Sequence, residues 1–193
     1  MTKMVKIINS KRTILNMAED LLQYKGFNGF SYAHIASELG VKNAAIHYHF
    51  PTKEVMGCAV IKRYRDRFQL WINNTRVQDL APEKKLDWFF GIYTDGRVDE
   101  GKVCLVGSME VEFHTLPEAL QGEVEALHQE LLDWLQGTLE EGRKSGVFRF
   151  HGESANKAAL ILSSLQGALQ MARALGTKRF RDVVEQLKLD LLV

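Results

Sequence analysis

The residues of this chain best suited to chemistry stand close together: Lys42, Asn43, Ala44, Ala45, His47, Tyr48, His49 and Lys53, with Tyr32 a little upstream. An amide and an imidazole carry the donor and acceptor patterns that read base edges in a major groove, and the methyls of Ala44 and Ala45 suit the thymine methyl. Lys42 and Lys53 suit phosphate, because a flexible ammonium positions a protein on DNA without reading its sequence. Tyr48 and His49 can also hydrogen-bond phosphate oxygens. His47 and His49 raise a metal reading, but imidazoles two residues apart on a helix point apart, and no cysteine or acid stands at ligand spacing nearby. Neither a metal nor another cofactor is expected.

Two further groups deserve the same test. Cys104 falls at the start of an expected helix beside Lys102, a setting that favours thiolate. The aromatic and polarisable side chains Phe68, Trp71, Trp88, Phe89, Tyr93, Phe113, His114 and Trp134 could, with Cys104, line a mostly apolar ligand site. No catalytic constellation emerges. The chain lacks Gly-x-Ser-x-Gly and His-Glu-x-x-His, and His114, His128 and His151 are scattered.

Elements must hold these residues in place. Ser31 can cap a helix bearing Ala33, Ile35, Ala36 and Leu39, and Gly40 closes it in the left-handed conformation. Val41 tucks under the turn, and a second helix fits Asn43 to Tyr48 with Ile46 inward. Two short helices about a glycine turn form a helix-turn-helix, whose second helix enters the major groove. Ahead of it, Ile14, Leu15, Ala18, Leu21 and Leu22 predict a helix from about Ser10 to Tyr24. Phe27 and Phe30 pack beneath these helices, and Phe50 is expected in the core.

Downstream the chain reads as helices throughout. Thr52 caps a long one with Val55, Met56, Ala59, Val60, Tyr64, Phe68, Trp71 and Ile72 along one side. Pro82 starts another with Leu86, Phe89, Phe90 and Tyr93 inward. Residues 94–101 form a loop, and Val103 to Phe113 a shorter helix. Pro117 opens a long helix to about Lys144, ended by Gly142 and Gly146. Residues 155–175 are apolar on nearly every side, which calls for burial. Phe180, Val183, Val184, Leu187 and Leu191 stripe a last helix.

Ile35-Ala36-x-x-Leu39-Gly40-Val41 followed by Ile46-His47-Tyr48-His49-Phe50-Pro51-Thr52-Lys53-Glu54 resembles the DNA-binding signature of the TetR family of bacterial transcriptional repressors. Lys42, Ala45 and His47 depart from its usual residues, so the resemblance carries the mode of binding and not the operator sequence. It implies an all-α fold with a three-helix DNA-binding head at 1–51 and a helical ligand-binding and dimerisation body at 52–193, joined by a long connecting helix. It also implies a homodimer made by the last two helices, with Leu162, Leu165, Ala168, Leu169, Ala172, Phe180, Val183, Val184 and Leu187 between the subunits. The partners so implied are a palindromic double-stranded operator and a small-molecule effector that releases it. Gly101 to Gly107 resembles a stretch of an electrophile-sensing branch, which would make Cys104 a thiol trigger. The rival class is a helical protein-interaction module, which would share the amphipathic stripes but would not need a basic head.

Charge supports the first reading. Residues 1–65 hold ten Lys or Arg against four acids, a balance of +6, and the remainder fifteen against twenty, a balance of −5. A basic head on an acidic body is the electrostatic footprint of DNA binding at one end. No apolar run nears the ~18 residues of a membrane span, and the start lacks a signal-peptide core, so the cytoplasm is the expected location. Two cysteines fit thiols kept reduced.

Overall fold

The computed structural model describes residues 11–94 and 99–191. Within them lie ten α-helices and no β-strand: α1 (Lys11–Lys25), α2 (Tyr32–Leu39), α3 (Asn43–His49), α4 (Lys53–Ile72), α5 (Thr75–Gln78), α6 (Pro82–Thr94), α7 (Leu105–Glu110), α8 (Glu118–Lys144), α9 (Ser154–Leu175) and α10 (Thr177–Leu189). A 3-10 turn covers Phe113–Thr115. Ser10, the expected start of the first helix, lies outside the described residues, as do residues 95–98 of the 94–101 loop.

Two compact units emerge. The first reaches to Arg67 and takes in Leu105–Leu127; the second holds Phe68–Cys104 and the chain from His128 onward. Helices α4 and α8 each run unbroken across that division.

In the first unit, α1 buries Ile14, Leu15, Ala18, Leu21 and Leu22, the three-and-four pattern visible in its sequence. Gly40 ends α2 at φ 64°, and the Val41 N–H donates to the Ala36 carbonyl at 2.9 Å, the long bond of a glycine-terminated helix. Ile46 and Phe50 are buried beneath the turn. Thr52 caps α4 through its hydroxyl, which accepts the Val55 N–H at 3.2 Å.

Several expectations need correcting. Val55 is exposed, and Ile61 joins Met56, Val60 and Phe68 in the core, because the buried stripe of α4 lies about half a turn round from Val55. The helix foreseen from Val103 to Phe113 is broken after Glu110, where the chain turns to bring Glu112 against the head. Gly142 does not end α8, which continues to Lys144; it lies under Phe148, and Gly146 at φ 78° is where the chain turns back.

In the second unit α9 and α10 pack on each other across Gly176. Of the residues expected between subunits, Leu162, Leu165, Ala168, Leu169, Ala172, Phe180, Val184 and Leu187 are buried inside the single chain and Val183 is half-buried. They form the subunit's own core, since α10 folds back and covers that face of α9. The face left open carries Leu160, Gly167, Met171 and Leu175. Burial all round the helix, expected from its composition, is not achieved within one chain.

Candidate nucleic-acid interface

The surface of α3 follows from how its one inward residue is held. Ile46 is fully buried, which turns Asn43, Ala44, His47 and Tyr48 to solvent, with Lys42 exposed just before the helix. Ala45 and His49 are half-buried at the margins. Tyr48 is 84% exposed, far more than an aromatic ring retains when packing is its role. Its ring meets that of His49 edge-on at 5.1 Å.

His47 is oriented from two sides. Its ring meets Tyr32 edge-on at 4.7 Å, and its Nδ1 lies 3.3 Å from the Pro51 carbonyl oxygen. A carbonyl only accepts, so Nδ1 carries the proton of that contact and Nε2 is the atom left for a partner. The α2 start is held likewise: Ser31 takes the N-cap position, and its N–H donates to His34 Nδ1 at 2.9 Å.

Two expected DNA contacts have other duties. Tyr32 is buried, and its hydroxyl donates to the Phe50 carbonyl at 2.8 Å, tying the start of α2 to the end of α3. Burial pushes its phenol up from 10.0 to about 12. The Lys53 ammonium donates to the carbonyls of Phe27 and Phe30 and lies 4.6 and 4.4 Å from the centres of their rings. Burial lowers the Lys53 pKa, and the Glu112 carboxylate partly offsets this. Both side chains build the head from within, a role that type and position in the sequence do not distinguish from phosphate contact.

The Tyr32 arrangement has a measurable consequence. Its folded-state pKa lies above the ordinary value, so the stabilisation it brings is complete below pH 10 and is lost as pH rises through about 12. Tyr32→Phe should cost about 1 kcal/mol at neutral pH and flatten that alkaline loss, as read by denaturation at pH 7 and 11.

The expected ligand-lining residues divide. Phe68, Trp71, Phe89, Tyr93 and Trp134 form one aromatic cluster in the second unit, with Trp71–Trp134 centroids 4.8 Å apart and Phe89 stacked on Trp134 at 5.3 Å. There they largely fill each other's space. Trp71 and the exposed Trp88 line a cavity of about 450 Å³ together with Asp87, Gly91 and Ile92. Phe113 and His114 belong to the first unit and contact each other ring to ring. Cys104 is buried, and Lys102, expected to act on it, pairs with Glu100 at 2.6 Å. Gly96 and Gly101-Lys102 have the spacing of a phosphate-binding loop, but Val103 replaces the Ser or Thr that such a loop uses.

Sequence reasoning missed the contacts that join distant segments to the head. Glu112 accepts the N–H groups of Phe27 and Asn28, and Glu19 on α1 pairs with Arg63 and Arg67 on α4. Neither carries a local sequence signal. Among the described residues, no group of His, Cys, Asp or Glu could hold a metal ion and no helix is long and apolar enough to cross a membrane.

Known proteins share this arrangement. Residues 14–56 match the family model of bacterial regulatory proteins of the tetR family, and residues 84–187 match the tetracyclin repressor-like C-terminal domain. A crystal structure of a TetR-family transcriptional regulator from Agrobacterium tumefaciens is 27% identical and covers 98% of this chain and 100% of its own, with a TM-score of 0.87. A TetR transcriptional regulator from Legionella pneumophila is 30% identical over 94% of this chain and 97% of its own, with a TM-score of 0.81. An HTH-type transcriptional regulator of Lactococcus lactis is 24% identical over 173 residues, 86% of this chain and 84% of the relative. With its helix-turn-helix and its helical body both matched, the chain belongs to the TetR family and is a DNA-binding transcriptional regulator, not an enzyme.

Proposed function

We propose that this regulator is a cytoplasmic repressor that binds a palindromic operator as a homodimer and leaves it when a small molecule occupies the second unit. The observation that carries this reading is the exposed row Lys42, Asn43, Ala44, His47 and Tyr48 above a buried Ile46, uncovered by any of the described residues. Asn43 and the Nε2 of His47 read base edges, while Lys42, Tyr48 and His49 contact phosphate and Ala44 and Ala45 meet thymine methyls. Replacing Asn43 or His47 by Ala should cost ~1–3 kcal/mol on the operator and little on random duplex, whereas Lys42→Ala should weaken both alike and reduce the salt slope by about one. Binding to operators selected from a random pool, titrated from 50 to 200 mM salt, checks both halves. Equal losses on operator and random DNA would remove the base-reading assignment.

The subunits pair through the open face of α9, where Leu160, Gly167, Met171 and Leu175 recur at near-helical spacing. Two-fold pairing matches a palindrome when the two α3 helices stand about 34–36 Å apart. The effector enters beside Trp71 and Trp88, and it releases DNA only to the extent that it prefers the non-binding state. Helix α4 carries that preference, since it continues from Phe68 in the second unit back to the head. Quenching of tryptophan fluorescence by an effector, reduced in Trp88→Ala, tests the entry point.

A further inference from the structure

The contact between Glu112 and the head has no role in reading DNA directly, yet it joins the turn after α1 to a segment 85 residues away by several hydrogen bonds. We infer that Glu112, which lies outside the helix-turn-helix, is a positioning residue for DNA binding: its carboxylate holds the turn between α1 and α2 and so sets the face that α2 and α3 present. The inference rests on DNA binding alone and not on the effector.

The Glu112 carboxylate accepts the Phe27 N–H through Oε2 and the Asn28 N–H at 3.2 Å from each oxygen. Hydrogen bonds to an ionised acceptor are about twice as strong as neutral ones. Beside it the Thr115 hydroxyl accepts from Asn28 Nδ2 at 2.8 Å and donates to the Glu112 carbonyl at 2.7 Å, so the anchoring segment is itself braced. Gly26, at φ 78°, closes α1 just where the carboxylate arrives; a Cβ there would lie 2.9 Å from Glu112 Oε2. On the opposite side of the turn Lys53 binds the carbonyls of Phe27 and Phe30. The turn is thus gripped by an anion at its N–H groups and by a cation at its carbonyls. Below it, a Cβ on Gly57 of α4 would come within 3.0 Å of Leu120 and 3.1 Å of Phe27, so α4, the turn and the start of α8 meet without slack. A shift of residues 105–115 must therefore move Phe27 and Asn28 or break these bonds.

The test uses the full chain and an operator duplex selected by the wild-type protein from a random pool. Glu112→Ala should weaken operator binding about tenfold, change random-duplex binding less than twofold, and speed amide exchange at Phe27 and Asn28 at least tenfold. Glu112→Gln, whose amide oxygen still accepts, should recover most of the operator affinity. Thr115→Ala should show a smaller loss of the same pattern, and it answers the question if Glu112→Ala does not fold. Operator affinity within twofold of wild type for the Glu112→Ala protein, or for Thr115→Ala should the first not fold, overturns the inference. So does a parallel loss on operator and random duplex, which would mark the contact as stabilising only.

Discussion

Arg63→Met is expected to destabilise this protein by about 3 kcal/mol, while Arg67→Met costs less than about 1 kcal/mol. Both guanidinium groups pair with Glu19, at 2.5 and 2.7 Å. Their surroundings differ. The Glu19 side chain is 8% exposed, Arg63 21% and Arg67 48%. Removing one partner of a buried pair is costly because the charge left behind stays desolvated. Arg63 also donates to the Leu15 carbonyl at 3.0 Å and to Asn16 Oδ1 at 2.8 Å, bonds that methionine cannot replace. Arg67 lies about half in solvent, where water replaces it and salt screens it. Urea denaturation with an unchanged slope would report the difference as a shift of midpoint. Similar losses from the two variants would mean that Glu19 draws its compensation from water and not from Arg63. Because the network ties α1 to α4, Arg63→Met should also loosen operator binding.

Gly142→Ala carries the second large effect, a loss of about 3 kcal/mol. A Cβ at this position would lie 2.0 Å from Cδ2 of Phe148 and 2.3 Å from Cε2. Phe148 is buried, and the N–H groups of Val147 and Phe148 both donate to the Gly142 carbonyl, at 2.9 and 3.0 Å, so the ring is held against the helix by its own backbone. It also walls a cavity of about 210 Å³ with Leu86, Phe90 and Leu191. The ring must swing aside, giving up its packing and disturbing that wall. Alanine would otherwise favour the helix by about 1 kcal/mol over glycine, so the net loss understates the clash by that amount. The midpoint of thermal unfolding should fall by roughly 6–12 °C for a chain of this size. A midpoint equal to or above that of the wild type would show that Phe148 has room to move.

Much of the head could be read directly. The apolar positions of α1, the glycine that closes α2, the inward Ile46 and the buried Phe50 follow from period and from local steric rules, and the structure agrees at each. The exposed face of α3 follows too, because one anchored residue on a short helix decides what faces outward. The duties of Tyr32 and Lys53 could not be read that way. A hydroxyl or an ammonium near a recognition helix can bond phosphate or a backbone carbonyl, and only the position of the Phe50, Phe27 and Phe30 carbonyls selects the second.

The sequence by itself determined that this is an all-helical DNA-binding regulator with a helix-turn-helix whose second helix fits Asn43 to Tyr48. Helical period, capping and glycine turns act over three or four residues, so they are written locally. Tertiary structure decided which apolar residues of α9 are core and which stay open, since α10 packs on one of its faces. It also decided which charges are structural. Glu112 meets Phe27 across 85 positions of the chain and Glu19 meets Arg63 across 44, and a charged side chain carries no mark of the partner it will find when the chain closes on itself.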